Sequence, residues 1–248
     1  VEAKYDGERI QAHCDKDGVI NLFSRRLDNI TNQFPDLIEY LQKSIPEGEF
    51  IIEGEVIAVD KEGKALPFQV LMQRRRKYDV EEYVKKIPIN FKVFDLLYLN
   101  GETLLDVAYY KRIEQLEKIV HKNEEIKLTE RIITEDVKEM DTFFRKMLSS
   151  GYEGIIMKSR AEDSVYQAGT RGWNWIKWKK EYVKDMVDTF DLVIVGAFYG
   201  KGRRSGVYGA LLCAVYNESE DVFETFCKIG TGLTDELLEE LPKKLKSY

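Results

Sequence analysis

The segment Phe50-Ile51-Ile52-Glu53-Gly54-Glu55-Val56-Ile57-Ala58-Val59-Asp60 constrains this chain more than any other. Its β-rich apolar residues predict a strand. Two carboxylates, Glu53 and Glu55, then fall on one face of it by the period of two. Like charges on a buried strand are costly unless they meet a cation. A divalent metal or a positive ligand group would offset that cost. The bland alternative is a half-exposed strand with its polar residues turned outward. The apolar flanks on both sides favour a functional strand.

Further short apolar runs predict strands at Val19–Phe23, Ile89–Leu99, Gly154–Lys158 and Trp173–Trp178. Helical spacing of apolar residues lies between them, at Pro35–Lys43, Ala108–Lys122 and Thr134–Ser150, the last closed by Gly151. Strands and helices mix without a regular βαβ alternation, so the expected class is α+β. The character changes near Asp185. Beyond it come Leu192–Phe198, Gly209–Tyr216 and Val222–Ile229, punctuated by glycines, and then a helical stripe over 235–247. That is a small barrel-like pattern. The expected division is residues 1–184 and residues 185–248, the second too short for a closed five-stranded barrel.

Composition excludes several classes. No run approaches the roughly 18 apolar residues of a membrane span. Val1-Glu2-Ala3-Lys4 is charged at once, unlike a secretory signal, and lacks an initiator Met, which suggests a piece of something longer. Cys14, Cys213 and Cys227 are scattered with no CxxC pair, so neither a disulfide framework nor a zinc site is expected, and a reducing compartment fits. His13 and His121 are the only histidines, which excludes a His-rich metal centre. Any catalysis then rests on Lys, Arg, Asp and Glu. The net charge of −6 argues against a uniformly basic nucleic-acid binder. Local basic clusters stand out all the same: Arg74-Arg75-Arg76-Lys77, Lys177 with Lys179-Lys180, and Lys201 with Arg203-Arg204. Each could grip a polyanion, and for the first a solvated charge run is equally supported.

Four other segments carry candidate chemistry. Glu2-Ala3-Lys4-Tyr5-Asp6-Gly7-Glu8-Arg9 puts a lysine amine at a strand end before a turn, with Glu2 on the same face. Lys92-Val93-Phe94-Asp95 offers an aromatic ring that either stacks on a flat base or fills the core, the core being favoured on this stretch alone. Glu153-Gly154-Ile155-Ile156-Met157-Lys158 sets a carboxylate and an amine at opposite ends of an apolar strand. Arg171-Gly172-Trp173-Asn174-Trp175-Ile176-Lys177-Trp178-Lys179-Lys180 places Lys177 and Lys179 side by side, a pair that wants an anion such as phosphate between them. Its tryptophans divide between core and base stacking, with core favoured.

The order and spacing of these segments resemble the ATP-dependent DNA ligases of the archaeal and eukaryotic type, within the covalent nucleotidyltransferases. Lys4–Arg9 is similar to the family's Lys-x-Asp-Gly-x-Arg nucleophile motif, and Phe23-Ser24-Arg25 to the short arginine motif after it. Glu53–Glu55, Val93–Asp95, Glu153–Lys158 and Ile176–Lys179 resemble its acidic-strand, aromatic, Glu-Gly-x-x-x-Lys and paired-lysine motifs. Gly196–Gly202 and Cys227–Leu233 resemble its OB domain.

The resemblance implies an α+β, ATP-grasp-like adenylation domain of antiparallel sheets with helices over 1–184, followed by a partial OB-fold barrel over 185–248. It implies a core cut at both ends, with the family's DNA-binding domain ahead of Lys4 and its last basic motif beyond Tyr248. Lys4 would take AMP from ATP, pass it to the 5′-phosphate of a nick, and the 3′-hydroxyl would then displace AMP, in replication, repair and recombination. Glu2 would accept from the adenine amino group and Phe94 would stack on the ring. Arg9, Arg25 and Arg171 would contact sugar, phosphates or the nicked end, and Lys177 and Lys179 the α-phosphate. Glu55 would touch the ribose or, with Glu153, hold Mg²⁺, with Glu53 and Asp6 as lesser helpers. Nicked double-stranded DNA is the implied partner, with a sliding clamp engaged through segments outside this chain. A monomer free of membranes is expected, in archaeal cytoplasm or a eukaryotic nucleus. Rival readings are an mRNA capping guanylyltransferase, an RNA ligase, and a catalytically dead DNA-binding scaffold.

Overall fold

Alternating burial sets the first sheet of the computed structural model, which describes residues 1–45, 48–74, 79–121, 123–169, 172–180 and 191–245. In β2 (Glu8–Cys14), Ile10 and Ala12 are fully buried while Arg9, Gln11 and His13 turn the other way. The same alternation runs through β3 (Ile20–Ser24). With β4 (Phe50–Ala58), β5 (Ile89–Leu99) and β6 (Glu102–Thr103), these strands form an antiparallel sheet of order β3-β2-β4-β5-β6. A short β7 (Ile126–Leu128) joins β5 in parallel. One face of this sheet is apolar. Against it pack α1 (Pro35–Ser44), through Leu37 and Leu41, and α4 (Tyr109–Ile119), through Ile113 and Leu116. The short helices α2 (Phe68–Met72) and α3 (Val80–Lys86) follow β4.

A second sheet has the order β1-β8-β9, from Glu2–Lys4, Gly154–Lys158 and Trp175–Lys179. Its apolar face, Ala3, Ile155 and Trp178, packs on α5 (Val137–Ser149) through Phe143, Phe144 and Met147. The Trp178 and Phe144 rings stack at 4.6 Å. Helix α5 starts at Asp136, whose side chain accepts from Lys138 N at 2.8 Å. It ends at Gly151, which takes the left-handed φ of +84° that glycine tolerates.

The two sheets are joined twice. The turn Tyr5-Asp6-Gly7 connects β1 to β2, and a Cβ on Gly7 would lie 2.2 Å from Val56 O, so only glycine fits there. On the other side, the segment after β7 changes sheets. Thr129 N donates to Val93 O at 2.9 Å, and Ala3 N then donates to Glu130 O at 2.9 Å. Tyr5 OH accepts from Glu130 N at 3.0 Å and fastens the same seam.

The chain divides into two compact units, Val1–Lys184 and Asp185–Tyr248. The second contains a meander of β10 (Val193–Tyr199), β11 (Tyr208–Asn217) and β12 (Val222–Ile229), with α6 (Asp235–Leu245) packing Leu238 and Leu241 inward. Arg204, in the third basic cluster, donates to Gly230 O at 2.8 Å and ties its hairpin to the end of β12. A guanidinium satisfied by a backbone carbonyl in a half-buried loop is a staple. Trp173, expected within a strand, precedes β9 and is 90% exposed. Among the described residues no helix is long and apolar enough to cross a membrane, and the three cysteines are free.

Candidate active site

The polar faces of the two sheets line a cleft of about 810 Å³ in the first unit. Lys4 ends β1 in register with Gly154 of β8, which in turn faces Lys179 of β9. A Cβ on Gly154 would sit 2.1 Å from Trp178 O, so this position admits no side chain. Glu153, one residue earlier, is bridged by both amines: Lys4 Nζ meets Oε2 and Lys179 Nζ meets Oε1. The two lysines hold the Glu153 carboxyl below its ordinary value, against the upward push of its partial burial. Lys177 of β9 is in register with Ile156 of β8, which on its other side faces Glu2 of β1. Desolvation first, then Lys4, Arg25 and Lys179, lower its amine's affinity for a proton.

At one end the cleft is aromatic. Phe94 and Trp175 meet edge to face at 6.4 Å. Between them lies Lys158, the last residue of β8, with its amine 4.8 Å from the Phe94 centroid, 4.0 Å from Trp175 and 4.3 Å from Tyr109. Lys158 pairs with Glu2 Oε2 at 2.6 Å and donates to Tyr109 OH at 2.9 Å, while Tyr109 OH donates to Glu2 Oε1. Both Glu2 oxygens thus accept from fixed neighbours, Oε2 from Lys158 and Oε1 from Tyr109.

The wall opposite is built on β2, β4 and the turn after β3. Arg9 pairs across the strands with Glu55, and Gln11 with Glu53. Glu53 is fully buried and is taken by Arg9 Nη2 at 2.6 Å, Gln11 Nε2 at 2.6 Å and Tyr166 OH at 2.9 Å. Glu55 lines the cleft itself. Desolvation pushes its carboxyl from an ordinary 4.5 up to about 7; Lys4 and Arg9 pull it down, while Glu153 and Glu8 add to the rise. Asp95, behind the wall, is locked by Arg112 through paired 2.8 Å bonds.

Of the residues singled out from sequence, Glu2, Lys4, Arg9, Arg25, Glu55, Phe94 and Lys177 line this cleft, and Glu153 and Lys179 are bonded at its edge. Arg171 lies outside the described residues, as do Arg75, Arg76 and Lys77 of the first basic cluster. Asp6 is exposed on the turn, and Glu53 is consumed by Arg9, Gln11 and Tyr166. Trp178 is core, as favoured, whereas Trp175 lines the cleft. The sequence reading missed Lys158, Tyr109 and Tyr166 as site residues. For Lys158 the signal was its place at the end of the Glu-Gly-x-x-x-Lys run.

Antiparallel sheets walling a lysine-centred cleft, followed by an OB-like unit, are the architecture of a nucleotidyltransferase. The family model for the ATP dependent DNA ligase domain matches residues 1–179, and that for the ATP dependent DNA ligase C terminal region matches 204–248. The chain belongs to the ATP-dependent DNA ligase family. It is 50% identical over its whole length to the DNA ligase of Sulfophobococcus zilligii and 49% identical to DNA ligase 1 of Methanosarcina acetivorans, spanning 41% and 44% of those proteins. The chain thus spans about four-tenths of the length of these curated relatives. Among solved structures it is similar to the ligase domain from M. tuberculosis LigD, with a TM-score of 0.56 and 27% identity over 98% of this chain and 70% of that one. A mycobacterial DNA ligase D complexed with ATP gives 0.57 and 26%, over 99% and 71%.

Proposed function

We propose that the chain is the catalytic core of an ATP-dependent DNA ligase that seals nicked double-stranded DNA through a lysine-linked AMP. The observation that carries this reading is the placement of Lys4. It stands between an aromatic end with a fixed carboxylate acceptor, suited to an amino-bearing purine, and a basic end suited to phosphates.

Adenine lies against Phe94, with its exocyclic N–H groups toward Glu2. The α-phosphate lies by Lys177 and Lys179, whose charge builds complementarity to the transition state. Lys4 leaves Glu153 and loses a proton, and its lone pair attacks the α-phosphorus. The N–P bond forms as the bond to the bridging oxygen breaks, and pyrophosphate departs with that electron pair. Next, an oxygen of the 5′-phosphate attacks the same phosphorus, the N–P bond breaks, and Lys4 regains its proton. Last, the 3′-hydroxyl attacks the activated 5′-phosphate, loses its proton, and AMP leaves. In each step the protein positions groups and neutralises charge.

Glu55 and Glu153 fit Mg²⁺. Their donor set is all oxygen, the kind that a hard divalent cation takes, and both carboxylates stand close to Lys4. Bound there with phosphate oxygens, the ion would neutralise charge on the phosphates. Arg9 and Arg25 face the sugar, the phosphates or the nicked end. The protein works as a monomer beside the genome, in archaeal cytoplasm or a eukaryotic nucleus, with a sliding clamp as accessory partner. The 1–184 portion is the adenylation domain and 185–248 belongs to the OB domain.

The test is intact mass before and after ATP or GTP with Mg²⁺. A gain of one AMP from ATP alone is the expected result. A gain of GMP turns the reading to capping. Sealing of nicked RNA in preference to nicked DNA turns it to an RNA ligase.

A further inference from the structure

The side chain of Tyr166 has no place in the steps above, yet its hydroxyl sits at the centre of a polar network. It donates to Glu53 Oε1 at 2.9 Å and accepts from Arg9 Nη2 at 3.1 Å. Gln11 Nε2 approaches the same hydroxyl at 3.4 Å and Glu53 Oε1 at 2.6 Å. Gln11 is itself oriented: His13 Nε2 lies 3.2 Å from Gln11 Oε1, an acceptor, so that nitrogen carries the hydrogen. Arg9 and Gln11 thus each bond the fully buried Glu53 directly and also reach one hydroxyl from a distant loop, and His13 joins through Gln11.

That loop connects β8 to β9 and is fastened independently. Tyr166 N donates to Leu105 O at 2.9 Å, and Tyr109 N donates to Ser164 O at 2.8 Å. The Arg112 guanidinium, locked to Asp95, stands 6.0 Å from the Tyr166 ring. The hydroxyl is therefore delivered to a fixed point. Arg9 is the member of the network that lines the cleft, with its guanidinium carbon 5.9 Å from the Phe94 centroid. A long arginine in a wide cleft has many rotamers, and holding one of them spares the entropy of ordering it when ligand binds.

We propose that Tyr166 is a positioning residue for Arg9: with Glu53 it fixes the guanidinium in the orientation that receives the nucleotide or the nicked end. The proposal rests on the nucleotide-site reading. It adds a residue from the β8–β9 loop to a wall otherwise built on β2 and β4.

The test is a double-mutant cycle on single-turnover transfer of AMP from ATP to Lys4, read by intact mass, with thermal denaturation in parallel. Tyr166→Phe removes one oxygen, keeps the ring and leaves Glu53 its bonds to Arg9 and Gln11. The expected result is about a tenfold loss in transfer with the melting temperature held within a few degrees, the scale of one hydrogen bond to a charged group. In an Arg9→Ala background the Tyr166→Phe effect should vanish, because nothing remains to position. A purely structural tyrosine gives the same fold-loss in both backgrounds, and that outcome overturns the proposal, as does wild-type transfer by Tyr166→Phe alone. A parent chain that takes up no AMP overturns the nucleotide-site reading instead.

Discussion

Lys4 and Lys179 reach the same carboxylate, Glu153, from opposite edges of one strand, and the residue between them in register is Gly154. The arrangement gathers two positive charges around an atom-sized gap that a side chain would close. Replacing Gly154 with alanine forces a Cβ to within 2.1 Å of Trp178 O at a φ of +151°. Gly154→Ala is expected to destabilise the first unit by about 2–4 kcal/mol. Chemical denaturation checks it; a variant as stable as the parent would show that the β8–β9 pairing yields easily.

Lys4→Ala should abolish covalent labelling by ATP while leaving the fold intact, since Lys4 is a strand-end residue with a half-buried side chain. Intact mass reads this directly. An AMP adduct on the variant would move the nucleophile elsewhere.

Lys177→Ala should slow AMP transfer more than it weakens ATP binding, because a contact that strengthens as charge builds acts on the rate. The lowered proton affinity of Lys177 adds a pH signature. Its charge is lost as pH rises through a value below the ordinary lysine one, so any share of nucleotide affinity that Lys177 supplies should be lost there in the parent and be absent at every pH in Lys177→Ala. Titration calorimetry across that range, parent against Lys177→Ala, isolates the contribution.

Glu55 carries a pH dependence of stability with a definite sign. Its carboxyl holds a proton to about 7 when folded, against an ordinary 4.5. The folded state therefore binds the proton more tightly, and this contribution is fully present below pH 4.5 and lost as pH rises through about 7. In metal-free buffer, Glu55→Gln should be more stable than the parent at pH 8 by about 1–2 kcal/mol, allowing for partial exposure, and no more stable below pH 4.5. It should also lose adenylylation.

The Glu2–Lys158 pair is buried, at 5% and 2% side-chain exposure. Lys158→Met should destabilise by about 3–5 kcal/mol by stranding the carboxylate, and adding Glu2→Gln should restore much of that. Preference for ATP over GTP should fall in both variants and stay low in the double variant. Recovery of preference together with stability would separate Glu2 from base recognition.

The motif strands were legible because β-branched and aromatic residues dominate them: β5, β8 and β12 occupy the segments that their sequences predict. Strand β2 was not, since its buried face is Glu8, Ile10 and Ala12 with half-buried Cys14, and its other face is the polar one of Arg9, Gln11 and His13. Helix α3 buries no residue and so carries no stripe to find. Lys158 could be seen as the end of a motif, but its partners Tyr109 and Trp175 come from other elements and only the fold assembles them. Tyr166 stands 157 residues from Arg9 in a loop without periodicity, and nothing local marks it.

The chain from Ile126 to Ile132 pairs with β5 and then with β1, while Tyr5-Asp6-Gly7 closes the other side. Hemmed along both margins, the two sheets hold their angle before any guest arrives. The angle between the walls of the cleft is then a property of the polypeptide, set by these two seams.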